Sequence, residues 1–285
     1  MTPSLSQPGA EIFVPDQTDP TRALARTTHL GIGAHPDDLE IFAIDGILEC
    51  FQNDDLWFSG VIVSDGAGSP RHGRYRSYTD ERMRQVRRRE QKKAATLGDY
   101  SAQLLLDHSS KAVQSAERAV IEDLKRVLER TQPKIVYTHS LTDKHDTHVA
   151  VALRVVQAFR ELATDHPPVR LLGCEVWRDL DWLSEADKVE MKLSGQEHLQ
   201  QALLGVFDSQ IAGGKRYDLA TLGRRRAHAT FAQTHAVDEV TGRVYAMDLT
   251  PLVLDKQLDP AGYCLQLIDG FRADAEKRIL RLGRS

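Results

Sequence analysis

The chain has 285 residues, of which 41% are hydrophobic and 27% are charged, and its formal net charge is −4. This composition is typical of a globular protein, and the acidic balance disfavours a nucleic-acid-binding protein. No apolar run approaches the roughly 20 residues that a membrane-spanning helix needs, so no membrane span is predicted.

The cysteines and the N-terminal segment indicate a reducing compartment. Cys50, Cys174 and Cys264 are widely spaced, so they predict neither a zinc ribbon nor a disulfide framework. Residues 1–29 lack the basic and then apolar pattern of a secretory signal. We therefore expect a cytoplasmic protein.

The predicted elements alternate between strands and helices. Residues 1–26 are rich in proline and polar residues and read as an extended or partly disordered N-terminal arm, and residues 27–285 as a single domain with a C-terminal elaboration from about residue 178. The alternation predicts an α/β, Rossmann-like doubly wound fold, with a mainly parallel sheet in strand order 3-2-1-4-5 and helices on both faces. The predicted strands are 28–33, 58–63, 102–106, 134–138 and 169–176, and the predicted helices are 38–53, 80–97, 112–131 and 148–163.

The region after the fifth strand carries weaker signals. We expect an edge strand over 242–250 near the pocket mouth, and an amphipathic helix over 268–283 on the exterior or in an oligomer interface. The loop 69–78 suits either a mobile lid or a disordered surface loop. Tryptophan faces commonly stack on sugar rings but also fill cores, and we expect Trp177 and Trp182 in the core. His228 and His235 are expected at the surface or in an interface.

Two clusters of His and Asp follow the first and fourth strands of the predicted domain. "HPDD" occupies 35–38, and "HSLTDKHDTH" occupies 139–148. Strand order reverses between these two strands, and ligands bind at such a switch point, beyond the carboxyl ends of the strands. The clusters should therefore meet in space. The two carboxylates in the first turn would repel a pyrophosphate, so a dinucleotide cofactor is disfavoured.

Imidazole and carboxylate side chains are typical zinc ligands. His35 with one of the adjacent aspartates, plus one or two of His139, His145 and His148, would supply three ligands and leave one carboxylate as a general base.

An alternative assigns these polar residues to helix capping. Asp37 or Asp38 would cap one helix, and Asp146 or Thr147 another. The predicted convergence of both clusters at one switch point favours the metal site.

These residues resemble the PIG-L/LmbE-like family of zinc-dependent de-N-acetylases. "AHPDDLE" and "YTHSLTDKHDTHVAV" carry the resemblance, and weaker echoes are "VSDGAGS" at 63–69, "RRREQKKAATLG" at 87–98 and "FDSQ" at 207–210. The resemblance covers about residues 28–210. It implies that His35, Asp38 and His148 are the zinc ligands. It also implies that Asp37 is the general base, that His145 is the general acid, and that Arg87 contacts substrate hydroxyls.

The chain departs from the family pattern at Thr147, where the family usually has an aspartate before the last histidine. That aspartate is thought to tune the neighbouring histidine. Either Asp143 or Asp146 does this here, or His145 is tuned differently.

The resemblance implies a metal-dependent hydrolase that removes an N-acetyl or similar acyl group from an amino sugar or its conjugate. Zinc is the expected cofactor, although iron(II) accepts the same ligands. Alternatives are an amidase of a larger thiol or antibiotic conjugate, a sugar O-acetyl esterase, and a non-catalytic metal- or sugar-binding protein. Pure binding needs neither Asp37 nor His145, which disfavours the last. The expected partner is a small N-acetylated sugar or conjugate, and a homo-oligomer is left open.

Overall fold

The computed structural model describes residues 3–162, 168 and 170–283, and an eight-stranded sheet forms its centre. The spatial order is β1-β4-β3-β2-β5-β6-β8-β7, and the five strands from β4 to β6 run parallel. These five are the predicted strands in the predicted 3-2-1-4-5 order, so the doubly wound α/β fold is confirmed. The strands are β1 (Glu11–Phe13), β2 (His29–Gly33), β3 (Phe58–Ser64), β4 (Ala102–His108), β5 (Ile135–His139), β6 (Arg170–Cys174), β7 (Lys188–Leu193) and β8 (Gly242–Asp248).

The helices lie on both faces of this sheet. Two predicted helices are divided, the first at Ala43 and the second at Ala116, whose φ of 56° interrupts a helix. The helices are α1 (Pro20–Ala25), α2 (Asp38–Phe42), α3 (Ile44–Cys50), α4 (Asp80–Leu97), α5 (Ser110–Gln114), α6 (Arg118–Thr131), α7 (Asp146–Glu161), α8 (Glu197–Gly205), α9 (Asp208–Ile211), α10 (Tyr217–Phe231), α11 (Thr250–Leu254) and α12 (Pro260–Leu282).

Successive residues of β2 face opposite sides of the sheet, and those on one side allow α2 to pack closely. Leu30 and Ile32 lie in one apolar core, whereas Gly31 and Gly33 face α2 on the opposite side. A Cβ at Gly31 would lie 2.9 Å from Leu39 Cδ2, and a Cβ at Gly33 would lie 3.0 Å from the Cβ of Asp38. The glycines thus allow α2 to approach the end of β2.

Strands from outside the predicted five extend the sheet at both edges. The N-terminal segment forms β1, which pairs antiparallel with β4, and the Ser6 hydroxyl donates to Asp123 at 2.6 Å. The prediction of an edge strand over 242–250 is wrong in its placement: β8 lies between β6 and β7, and β7 forms the edge. Its sequence "KVEMKL" alternates polar and apolar residues over only six positions, between loops.

The predicted C-terminal helix begins earlier than expected, at Pro260. Asp259 caps it by accepting a hydrogen bond from the Gly262 N–H at 2.7 Å. Residues 163 and 169, at the bounds of one predicted helix and one predicted strand, lie outside the described residues. Within the described ranges, no helix combines the length and the apolar character needed to cross a membrane.

Candidate active site

The two polar clusters meet beyond the carboxyl ends of β2 and β5, which are parallel neighbours. His35 follows β2, and His148 lies in the first turn of α7, which follows β5. The His35 Nδ1 and His148 Nε2 atoms are 3.2 Å apart although 113 positions separate the residues. The reversal of strand order between β2 and β5 therefore brings the clusters together.

Three side chains from these clusters have the spacing of metal ligands. Asp38 Oδ2 lies 3.4 Å from His35 Nδ1, and Asp38 Oδ1 lies 3.5 Å from His148 Nε2. Ligand bonds of 2.0–2.2 Å arranged tetrahedrally place neighbouring donor atoms about 3.4 Å apart. His35, Asp38 and His148 thus fit a metal ion in both donor type and spacing.

His139 adds a further imidazole to the cluster. Asp38, His139 and His148 form one buried group that could bind a metal, and His35, His145 and His148 form another, partly exposed one. However, His139 Nε2 accepts a hydrogen bond from the backbone N–H of Ala34 at 2.9 Å. Its lone pair is therefore engaged, and the ring packs against His148 at 3.9 Å between ring centroids.

The protonation of the cluster also suits a metal. Burial lowers the pKa of His148 to about 4, although Asp38 opposes this, so the imidazole is neutral at pH 7. Burial would raise the pKa of Asp38, but His148 and His139 hold it well below its usual range. A neutral imidazole and an ionised carboxylate are the forms that ligate metals.

Asp143 lies beside the histidines, whereas Asp146 does not. Asp143 Oδ1 lies 3.5 Å from His148 Nδ1 and accepts from the His145 N–H at 2.9 Å, and its Oδ2 accepts from the Trp177 N–H at 3.0 Å. Asp146 is exposed at the first residue of α7. Of the two aspartates, only Asp143 is placed to orient a histidine of the cluster.

Thr147 occupies the position at which the family usually has an aspartate. It is buried, and its hydroxyl accepts a hydrogen bond from Gln114 Nε2 at 2.9 Å. A neutral threonine–glutamine pair therefore occupies the position of the aspartate that the family usually has.

Asp37 has an unusual backbone conformation, and its side chain does not cap the helix that it precedes. Its φ is 95°, in the region that few non-glycine residues adopt, and its carboxylate makes no cap hydrogen bond to α2. The Asp37 N–H donates to Gln91 Oε1 at 3.1 Å. Burial raises the pKa of Asp37 to about 6, against the opposing charge of Arg87. Capping therefore does not account for Asp37.

Arg87 contacts Asp37 directly. The guanidinium lies 3.3 and 3.4 Å from the two carboxylate oxygens and also donates to the Pro36 carbonyl, and the side chain is 2% exposed. Three residues further along α4, Glu90 accepts a hydrogen bond from the Ser209 N–H at 2.7 Å. The contact between Glu90 and Ser209 joins the segments 87–98 and 207–210. Arg87 is thus a partner of Asp37 as well as part of the cavity wall.

His145 is the N-cap of α7. Its Nδ1 accepts from the Thr147 N–H at 3.3 Å, so the proton of the neutral ring lies on Nε2. Its ring lies edge-on to His35 at 4.9 Å between centroids and stacks on His148 at 4.6 Å. Burial and the neighbouring His35 lower the pKa of His145.

A cavity of about 600 Å³ opens onto this cluster. Ser69 and Pro70 of the loop 69–78 line it together with the preceding Gly68, and Arg74 and Tyr75 of the same loop bond to Asp208. The start of this loop thus forms part of the cavity rim.

The opposite wall comes from the C-terminal half, and sequence reasoning missed most of it. Trp177 lines the cavity and is 36% exposed, so its expected core position is wrong. Trp182 does pack against the core. His228 was expected at the surface, which is also wrong: it is buried, 3.1 Å from Glu175 and stacked on Tyr245. His235 is exposed.

Comparison with known proteins supports the fold and the family. Residues 30–159 match the family described as PIG-L: GlcNAc-PI de-N-acetylase, so the predicted family resemblance is confirmed over that segment. Among curated proteins, none matches the chain.

Solved structures of the same fold share little sequence with this chain. It resembles N,N′-diacetylchitobiose deacetylase from Pyrococcus horikoshii with a TM-score of 0.58 and 15% identity, over 80% of this chain and 86% of that one. It resembles the A40926 pseudoaglycone deacetylase Dbv21 with a TM-score of 0.57 and 17% identity, over 79% and 98% of the chains. It also resembles GalB, the 4-carboxy-2-hydroxymuconate hydratase from Pseudomonas putida, with a TM-score of 0.57 and 17% identity, over 78% and 96%.

Proposed function

We propose that this protein is a metal-dependent N-deacetylase that hydrolyses the acyl amide of an amino sugar or its conjugate. One observation carries the proposal: the donor atoms of His35, Asp38 and His148 lie 3.2–3.5 Å apart beside a further carboxylate, Asp37, at the floor of the cavity. Three ligands with an adjacent base are the elements of metal-assisted hydrolysis.

His35, Asp38 and His148 would hold the ion, with Asp143 orienting His148 through Nδ1. When bound, such an ion lowers the pKa of a coordinated water and polarises the acyl carbonyl. Zinc fits this donor set, and so does iron(II).

Asp37 is the proposed general base. Its carboxylate lies at the cavity floor and is fixed by Arg87, and its backbone is held by Gln91. Asp37 would accept a proton from the attacking water and return it to the leaving amine. Arg87 keeps the carboxylate oriented throughout and favours its ionised form.

His145 is the proposed donor to the substrate oxygen. Its Nδ1 is engaged by the Thr147 N–H, so Nε2 carries the ring proton. A donor held in this way stabilises the negative charge that develops on the carbonyl oxygen during attack, while Asp37 returns its proton to the leaving amine.

The same fold occurs in a hydratase, so the reaction has to be tested on the chain itself. Purified protein loaded with zinc or iron(II) would be assayed for acetate release from N-acetylglucosamine, its glycosides and N,N′-diacetylchitobiose, with O-acetyl sugars in parallel. We expect about one ion per chain, acetate release from amides, and loss of both in His148→Ala.

His235→Ala, which changes an exposed histidine, is the matched control and should keep the metal and the activity. Wild-type protein that binds neither metal would refute the proposal. Metal-loaded protein that releases acetate only from esters would replace it with an esterase.

We further propose that residues 27–285 form one domain, because the sheet continues without interruption from β2 through β6 to β8 and β7. Residues 1–26 would then be an arm that closes the other edge of the sheet through β1. The three cysteines are buried and unpaired, which supports the cytoplasmic location predicted from their spacing.

A further inference from the structure

The cavity wall formed by residues 175–225 lies outside the segment that matches the family, and it is rich in positive charge. Lys215, Arg224 and Arg225 line it, and the only carboxylate on this wall is Glu175 among the residues that the structure describes. Glu175 is already engaged, since it accepts from the N–H groups of Leu180 and Tyr245 and contacts His228. The wall therefore carries excess positive charge toward the cavity.

The two outer cations have no acidic partner in the described part of the chain. Arg224 donates only to backbone carbonyls, those of Val176 and Trp177. The Lys215 Nζ lies 4.9 Å from the centroid of the Trp177 ring and makes no ion pair with any described residue. Both side chains are partly exposed at the cavity, so their charges face its interior without neutralisation.

The third cation is deep. Arg225 is 3% exposed, and its guanidinium donates to Gln200 and to the carbonyls of Glu40 and Ile41. Its Nε atom has no hydrogen-bond partner among the described residues. Burial lowers the pKa of Arg225 to about 9, so the group remains cationic at neutral pH. It adds to the positive field behind Lys215 and Arg224.

The Trp177 ring lies between these cations and the histidines of the candidate metal site. The Trp177 ring lies 6.5 Å from the His145 ring and 6.0 Å from Tyr217, between centroids. A ring bound next to His145 would therefore have Trp177 beside it and Lys215 beyond it. Aromatic faces of this kind pack against sugar rings and other planar groups.

We propose that this wall selects a substrate with an anionic group, a carboxylate or a phosphate, attached to the N-acylated sugar. Lys215 and Arg224 bind the anion, and Trp177 packs against the sugar or the linkage. This inference rests on the proposed deacetylase function and adds the chemical class of its substrate. Cations without acidic partners attract anions by charge, and lysine and arginine add charge-assisted hydrogen bonds to the bound anion.

The test compares matched N-acetylglucosamine derivatives that differ only at the anomeric substituent: a methyl glycoside, a carboxymethyl glycoside and a 1-phosphate. Binding would be measured by calorimetry on metal-free protein, and kcat/KM for acetate release on metal-loaded protein. We expect at least one anionic ligand to bind about tenfold or more tightly than the methyl glycoside, with the preference falling as salt rises. The carboxymethyl and phosphate arms identify which anion the wall prefers.

Lys215→Met and Arg224→Met should each reduce the anionic-to-neutral ratio of affinity and of kcat/KM several-fold, and the double variant should bring it close to one. Lys144→Met removes an exposed cation of the neighbouring loop that does not line the cavity, and it should keep the wild-type ratio. Equal binding of charged and neutral ligands by wild type at low salt would overturn the anion proposal.

The two proposals fail separately. Acetate release with no charge preference would refute only the cationic wall. Charge-selective binding without acetate release from any amide would refute the deacetylase and leave the anion site in place.

Discussion

Asp37→Asn separates the proposed base from the proposed ligands. An amide cannot accept the proton of the attacking water, so we expect kcat to fall by about 10²- to 10⁴-fold, the usual contribution of a general base. Asparagine is among the few residues that tolerate a positive φ, so the backbone at 95° and the hydrogen bond to Gln91 should persist. The bound metal should therefore stay at the wild-type stoichiometry.

The same change should also lower the free energy of unfolding. The Asp37 and Arg87 side chains are 8% and 2% exposed, and the substitution leaves the guanidinium buried without its counter-charge. Breaking a buried pair costs about 3–5 kcal/mol, and we expect the lower end because the amide oxygen still accepts one hydrogen bond. For a chain of this size that loss corresponds to a Tm lowered by roughly 6–12 °C.

The assay is acetate release well below the lowered Tm, with metal content measured on the same samples. The double variant Asp37→Asn/Arg87→Met removes both charges and should recover part of the Tm but none of the activity. Wild-type kcat in folded, metal-loaded Asp37→Asn would refute the role of base. Loss of the metal in that variant would make Asp37 a ligand.

Three further substitutions test a residue that contacts a proposed ligand, the packing of α2 on the sheet, and the effect of one buried carboxyl group on stability. Asp143→Asn should weaken metal binding by about 10- to 100-fold in a competition titration, because it loses the carboxylate beside His148, whereas Asp146→Asn should match wild type; equal losses would contradict this difference. Gly31→Ala should cost about 1–3 kcal/mol in a denaturant titration and weaken metal binding, since its Cβ would lie 2.9 Å from Leu39 Cδ2 and push α2 from the sheet. An unchanged midpoint would show that α2 has room to move. Burial raises the pKa of Asp45 to about 6, so ionisation destabilises the fold increasingly as pH rises from 3.8 to 6 and fully above that range. Asp45→Asn should therefore raise unfolding free energy by about 1–2 kcal/mol at pH 8 but not at pH 4, and a gain at both would contradict the titration.

The central sheet could be predicted because its signals are local. Strand β2 is apolar, glycine-containing and followed directly by polar residues, and the periodicity of α6 is uninterrupted from Val120 to Leu128. The topology then determined which strand ends meet, which is why residues as distant as His35 and His148 could be placed together. Helix breaks were missed because a single residue in an unusual conformation, such as Ala116, leaves little trace in composition.

The C-terminal wall could not be predicted for a different reason. A tryptophan reads as a core residue in sequence, and Trp177 is exposed only because the cavity lies in front of it. His228 was expected at the surface since its neighbours are arginines, but it is buried against Glu175 from another part of the chain. Both outcomes depend on long-range packing, which no local pattern encodes.

The fold alone does not decide the reaction, because similar structures include deacetylases and a hydratase. The relation between the proposed ligands and the extra carboxylate bears on the reaction more directly than the fold does. Asp37 adjoins Asp38 in sequence, yet its positive φ directs it away from helix capping and toward Arg87. Such strain persists only where surrounding contacts outweigh it, and here a buried arginine and a buried glutamine hold it. Metal binding alone does not require a second buried aspartate in this conformation, so the strained Asp37 supports the proposed catalytic role.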